Sequence, residues 1–221
     1  MQFIYIIIAL FVSYLIGSIP WGYIIPKVFR NIDIREHGSK NVGSTNVTRT
    51  LGKKFGIPVF LLDSFKGALP IIIIRYILQG QIHTDLNFIN QYDIVIFYGV
   101  AAGVGHIFSI FLRGKGGKAV ATGVGAVIAL NPIVGLSGIL IFFIVAFATR
   151  YVSIGSVVAT FLVGVGMWIS VALAPSQTFE TQFFNLIAIS FMCLLIIYMH
   201  KKNFIRLKNG TENRIGQKKN K

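Results

Sequence analysis

The stretch VATGVGAVIALNPIVGLSGILIFFIVAFAT, residues 120–149, decides the fold, because it fixes the side of a membrane on which everything after it lies. It carries no charge, and Asn131-Pro132 interrupts its apolar run. Asn is a favoured helix N-cap and Pro suits the first helical turn, so the pair reads as one helix ending and another beginning. The alternative is one long helix. Read as two, 120–130 and 133–149 are both short against the roughly 20 apolar residues of a full crossing.

Charge on either side chooses between these readings. Further apolar segments run over 3–25, 57–78, 94–112, 152–173 and 183–199. The first has no charged residue before it and no small-residue cleavage site after it, so it reads as a span and not a signal peptide. The loop after it holds Lys27, Arg30, Arg35, Lys40, Arg49, Lys53 and Lys54. The second loop, about 79–93, has Asp85 and Asp93 and no base. The third has Arg113, Lys115 and Lys118, the fifth Arg150, and the sixth only Glu180. The tail has Lys201, Lys202, Arg206, Lys208, Arg214, Lys218, Lys219 and Lys221. With seven spans and the N-terminus outside, every Lys and Arg is cytoplasmic except Lys66 and Arg75, which lie within the second span. Fusing the two short helices would put the basic tail outside, against the positive-inside rule.

The expected fold is therefore all-α: a polytopic integral membrane protein with seven transmembrane helices, N-terminus outside and C-terminus cytoplasmic. A membrane domain covers 1–200 and a basic cytoplasmic tail covers 201–221, with 217–221 expected to be disordered against anionic headgroups. Composition agrees. The 221 residues are 54% hydrophobic and 13% charged, with a net charge of +14 and a mean hydropathy of +0.72. A soluble domain usually has about 25% charged residues. Disordered chains are poor in Phe, Ile, Leu and Val, and 19 Phe do not suit a basic nucleic-acid-binding module. No nucleic-acid partner is expected. The single cysteine, Cys193, excludes a disulfide framework and a multi-Cys metal site.

Two cytoplasmic loops carry more than topology requires. Residues 38–54 mix Gly38, Gly43 and Gly52 with Ser39, Asn41, Ser44, Thr45, Asn46, Thr48 and Arg49, and contain no acid. Glycines let consecutive N–H groups converge on one anion, hydroxyls add donors, and Arg49 offers phosphate a bidentate fork. Residues 105–123 repeat the theme with Gly105, His106, Arg113, Gly114, Lys115, Gly116, Gly117 and Lys118. A helix starting near Lys118 would present free N–H groups and its positive dipole end to an anion. A flexible turn accounts for that loop equally well, and the spacing is not that of a P-loop, since Ala119 follows Lys118. His106 fits a hydrogen-bonded core residue or a phosphate donor. Asp63 and Lys66, three apart on one helix, read as a structural ion pair. His200 and Asn203 share a helical face with Arg206, and Glu212 follows.

Several chemistries are missing: no metal-ligand His spacing, no Gly-x-Ser-x-Gly elbow, no His with Asp five residues on, and no Asp-rich metal motif. No cofactor and no metal are expected.

Taken as an ordered set, several segments resemble the bacterial membrane glycerol-3-phosphate acyltransferases of the PlsY type. They are Gly17-Ser18-Ile19-Pro20-Trp21-Gly22-Tyr23, residues 38–54, Leu61-Leu62-Asp63 with Lys66-Gly67, residues 105–123, and His200 with Asn203, Arg206 and Leu207. The resemblance implies acyl transfer from acyl phosphate to the 1-hydroxyl of glycerol 3-phosphate, giving lysophosphatidic acid and phosphate, the first step of phospholipid synthesis. It implies catalytic roles for Ser39, Arg49, His200 and Asn203. Substrate-binding roles fall on Asn41, Thr45, Asn46, His106, Lys115, Gly116, Gly117, Lys118 and Glu212. The implied setting is the bacterial cell membrane, with a cytoplasmic active site, membrane lipids around it, and an enzyme supplying acyl phosphate as a partner. The chain departs from the family at Lys40 and Ala119, where Gly is usual, at Ser44, where Ala is usual, and at Ser109, where Pro is usual. A divergent paralogue with a narrower role is a variant of this reading. The rival from another class is a transporter of a phosphorylated solute, and a non-catalytic scaffold leaves the glycine loops unexplained.

Overall fold

The computed structural model describes residues 2–78, 94–173 and 179–217, and every regular element among them is helical. Asp85, Asp93 and Lys218 to Lys221 lie outside the described residues, as does the Glu180 side chain. In chain order the helices are α1 (Gln2–Ser18), α2 (Trp21–Arg30), α3 (Ser44–Leu51), α4 (Lys53–Ile72), α5 (Ile96–Ile107), α6 (Val120–Leu130), α7 (Pro132–Thr149), α8 (Val152–Ala172), α9 (Phe179–Met199) and α10 (Lys201–Lys208). A π-helical turn, Ile73–Ile77, extends α4. Short 3-10 turns lie at Ile34–Glu36 and Ile110–Leu112.

The break at Asn131-Pro132 falls where the sequence places it. α6 ends at Leu130, Pro132 opens α7, and Asn131 Oδ1 accepts from Val134 N at 3.2 Å. A second break, at Ile19-Pro20, divides the first apolar segment into α1 and α2. Pro20 cannot donate, and the carbonyls exposed at the end of α1 find other partners. Ser109 Oγ donates to Ser18 O at 2.6 Å, and Lys66 Nζ to Ile19 O at 2.7 Å. Ser109 thus fastens the end of α5 to the end of α1.

Four helical segments are long and apolar enough to cross a membrane: Phe3–Arg30, Lys53–Tyr76, Pro132–Thr149 and Val152–Ala172. A fifth is the pair Phe183–Met199 and Lys201–Lys208, bent by 42°. Ile96–Leu112 and Val120–Leu130 are shorter apolar helices. The 11 residues of α6 rise about 17 Å, well under the roughly 30 Å of a hydrocarbon core.

The bundle is apolar outside and partly polar within. Large apolar side chains of α1 and α7, among them Ile4, Phe11, Ile133, Leu140 and Phe147, face outward. Asp63 (1% exposed), Lys66 (3%), His106, Ser109 and Thr122 are buried between helices. α1 packs chiefly on α5, α4 on α6, and α7 on α8, while α9 lies against α8 and α5. Lys66 Nζ is 2.9 Å from Asp63 Oδ1, so the expected pair forms inside the bundle. Beneath the first loop, Ile34, Val42, Val47, Val59 and Leu112 make a buried apolar floor.

Candidate active site

The first loop is half helix. Gly43 precedes α3, whose Ser-Thr-Asn-Val-Thr-Arg-Thr-Leu sequence has weak intrinsic helix propensity. Packing holds α3 instead, with Val47 sunk into the apolar floor. Asn46, 2% exposed, organises the turn before it. Its Nδ2 donates to Asn41 O at 2.9 Å, His37 O at 3.0 Å and Ile34 O at 3.3 Å, and its Oδ1 accepts from Ser39 N at 2.8 Å. Asn41 Oδ1 accepts from Gly43 N at 2.9 Å. Gly38 has φ +58° and backs onto Asn46 Oδ1, which leaves no room for a Cβ. The amides of Asn41 and Asn46 therefore shape the loop. Ser39 is half-buried, Thr45 is exposed, and Arg49 projects from the last turn of α3.

The second loop closes onto the end of α5. Gly116 N donates to Ile107 O at 3.0 Å and Gly117 N to His106 O at 2.9 Å. A Cβ on Gly117 would stand 2.1 Å from His106 Nε2, so only glycine lets the chain pass this imidazole. The nest of free glycine N–H groups expected from the sequence is absent at these two residues, because both donors are taken. What the loop delivers is a side chain, Lys118, while Lys115 stays exposed. His106 lies behind the loop, with Nδ1 3.6 Å from Asp63 Oδ1. No side chain caps α3 or α6.

α10 and the residues after it complete the cluster. Lys118 Nζ donates to Asn203 Oδ1. Asn203 Nδ2 donates to Glu212 Oε1 at 2.7 Å, and Arg206 Nε to Glu212 Oε2 at 2.6 Å. Ser153, in the first turn of α8, donates its hydroxyl to Glu212 Oε1 at 2.9 Å. Arg49 and Lys118 both lie within electrostatic reach of Glu212 and Arg206. The structure thus brings together Arg49, Lys118, His200, Asn203 and Glu212 of the sequence-predicted set, and adds Arg206 and Ser153 as contact residues.

Burial pushes the Lys118 ammonium down to about 8; Glu212 opposes this, while Arg206 and Arg49 add to it. Burial also lowers Arg49 from its ordinary value, with Glu212 opposing and Arg206 reinforcing. Glu212 is raised by burial but falls below its ordinary value overall, because Asn203, Arg206 and Ser153 donate to its carboxylate. His200, buried just past α9, is pushed down to about 4, chiefly by burial and next by Lys118. Its Nδ1 lies 2.9 Å from Ile196 O. A carbonyl only accepts, so Nδ1 carries the proton and Nε2 is an unprotonated acceptor near neutral pH. The arrangement is suited to an anion, with Arg49, Lys118 and Arg206 as cations and a polarised amide and a neutral imidazole beside them. Among the described residues no group of three or more His, Cys, Asp and Glu side chains is placed to hold a metal ion.

Comparison with known proteins places this arrangement in context. The sequence profile of a family described as glycerol-3-phosphate acyltransferase matches residues 7–210. A glycerol-3-phosphate acyltransferase of Acholeplasma laidlawii is 67% identical over 99% of this chain and 97% of its own length. One of Prochlorococcus marinus (strain MIT 9301) is 40% identical over 96% and 98%. Two crystal structures of PlsY (YgiH), an integral membrane glycerol 3-phosphate acyltransferase, are 34% identical and cover 95% of both chains. The glycerol 3-phosphate form superimposes with a TM-score of 0.79 and the lysophosphatidic acid form with 0.77.

Proposed function

Because the chain belongs to the glycerol-3-phosphate acyltransferase family, we propose that it acylates the 1-hydroxyl of glycerol 3-phosphate from acyl phosphate, on the cytoplasmic side of a bacterial cell membrane that it crosses seven times with its N-terminus outside. The products are lysophosphatidic acid and inorganic phosphate. The observation that carries this reading is the contact of Lys118 with Asn203 and of Arg206 with Glu212, with Arg49 within electrostatic reach of the same carboxylate. Three cations around one carboxylate leave a positive excess suited to a phosphomonoester dianion. The many basic residues of the first loop, third loop and tail support the cytoplasmic assignment of that face.

The chemistry asks little of the protein in covalent terms. The hydroxyl oxygen attacks the acyl carbon of the mixed anhydride, the bond from that carbon to the phosphate oxygen breaks, and the departing phosphate takes the hydroxyl proton. Arg49, Lys118 and Arg206 hold phosphate oxygens, with the Ser39 hydroxyl as a further donor. His200 Nε2 and Asn203 orient the attacking hydroxyl, and an imidazole this hard to protonate is suited to accepting a hydrogen bond. The gain comes from holding two anions side by side and stabilising the developing oxyanion. Gly116 and Gly117 serve by letting the loop close, and Asn41 and Asn46 by shaping the turn that presents Ser39. His106 supports the loop from behind, while Thr45 and Lys115 stand at the exposed edge, where they meet the substrate first.

The deciding experiment incubates purified protein with acyl phosphate and glycerol 3-phosphate. Lysophosphatidic acid and one equivalent of phosphate are expected. No product from acyl phosphate, with product from another activated acyl donor, overturns the donor assignment. No product from any donor, with uptake of glycerol 3-phosphate into proteoliposomes, overturns the enzyme in favour of a transporter.

A further inference from the structure

Glu212 is placed by contacts that lie far from it in sequence. The chain turns at Gly210, which has φ +68°, and residues 209–217 fold back over the turn between α7 and α8. Ile215 N donates to Arg150 O at 2.8 Å, and Arg150 Nη2 reaches Ile215 O at 3.4 Å. Arg214 Nε donates to the Tyr151 hydroxyl at 2.9 Å, and its guanidinium lies 5.6 Å from the centre of the Tyr151 ring. Between the Gly210 turn and these fastenings Glu212 points inward and takes the Ser153 hydroxyl at 2.9 Å. Ser153 is buried in the first turn of α8, where the positive end of the helix dipole favours a carboxylate.

We propose that residues 209–217 form a strap fastened to the α7–α8 turn, and that Ser153 and Tyr151 are positioning residues acting through Glu212 on Asn203 and Arg206. The route is continuous. Ser153 and Asn203 Nδ2 share Glu212 Oε1, which fixes the Asn203 amide so that its oxygen faces Lys118. Arg206 takes the other carboxylate oxygen and is held beside the same pocket. Without the Ser153 hydroxyl, Glu212 loses one of its three donors and Asn203 is free to turn over. The phosphate pocket is then assembled only part of the time, which weakens binding of glycerol 3-phosphate more than it slows the bound complex. This step rests on the acyltransferase reading for its kinetic consequence but not for its geometry.

The test uses full-length protein carrying Ser153→Ala, Ser153→Thr, Tyr151→Phe and the Ser153→Ala/Tyr151→Phe pair. Two quantities are read: KM and kcat for glycerol 3-phosphate, and the rate at which trypsin releases the tail after Arg206 or Lys208. Ser153→Ala is expected to raise KM about tenfold, the equivalent of one charge-assisted hydrogen bond, with kcat within about twofold of the parent. It is also expected to speed tail release. Ser153→Thr, which keeps the hydroxyl, restores both. The double variant is less than multiplicative, because both residues act on one strap. Unchanged KM and tail release in Ser153→Ala, a loss confined to kcat, failure of Ser153→Thr to rescue, or multiplicative effects overturn the proposal. Parent protein that makes no lysophosphatidic acid yet shows the expected cleavage pattern defeats the proposed function and leaves the strap standing.

Discussion

Lys118 makes the site sensitive to pH at the scale of a single residue. Its ammonium, pushed down to about 8, is charged below that pH and loses its proton above it. Phosphate binding needs the charged form, so the KM for glycerol 3-phosphate is expected to rise by up to about tenfold per pH unit above 8. Lys118→Arg, permanently charged, should bind less well throughout but show a flatter profile between pH 7 and 9.5. Lys40 and Ala119 both have φ +59°, a left-handed conformation that disfavours a Cβ. Lys40 is exposed, so Lys40→Gly should relieve that strain and raise stability by about 0.5–1 kcal/mol, read by thermal unfolding in detergent. Ala119 is 0% exposed and packs with Ile107, Met192 and Ile196. Ala119→Gly loses that buried methyl, worth about 1 kcal/mol, and should come out close to neutral.

Among the elements, legibility in the sequence follows how local the physics is. The break between α6 and α7 could be read from two adjacent residues, because Asn131 caps and Pro132 starts a helix. Asn131→Ala should cost about 1 kcal/mol of stability, read as a fall in the unfolding temperature of the detergent-solubilised protein. The break between α1 and α2 falls at Pro20 inside the apolar segment 3–25; the proline marks it locally, but the groups that satisfy its carbonyls, Ser109 and Lys66, come from distant segments. α3 was hidden because its Thr and Val residues favour helix weakly and Val47 is held by the floor beneath it. Ser153 gave no signal at all. It is a serine in an apolar helix, 59 positions from the glutamate it meets. Lys118, Asn203 and Glu212 could be named from sequence motifs, but their order of contact depends on α10 bending by 42° from α9.

For the whole molecule, the distribution of charge makes a prediction about sidedness. Thr45 is exposed at the start of α3, in the strongly basic first loop. In a Cys193→Ala background, Thr45→Cys in right-side-out vesicles is expected to resist a membrane-impermeant thiol reagent and to react after inversion. The opposite pattern would reverse the orientation of the bundle and put the Arg49–Lys118 cluster outside. The inside-out polarity of the fold also decides where substitutions are tolerated. Apolar exchanges on the outward faces of α1 and α7 should matter less than any change among Asp63, Lys66, Ser109 and Thr122.

The Lys66 contacts carry a consequence for biogenesis. A lone lysine in the middle of an inserting helix costs about 2.5–3.5 kcal/mol on insertion scales. Asp63 is synthesised three residues ahead of Lys66 on the same helix, and Ile19, whose carbonyl takes the other Nζ contact, leaves the ribosome earlier still. Both partners exist before α4 has finished emerging. The lysine therefore needs no partner from a helix not yet made, and a charge inside the second apolar segment is paired in the order of translation.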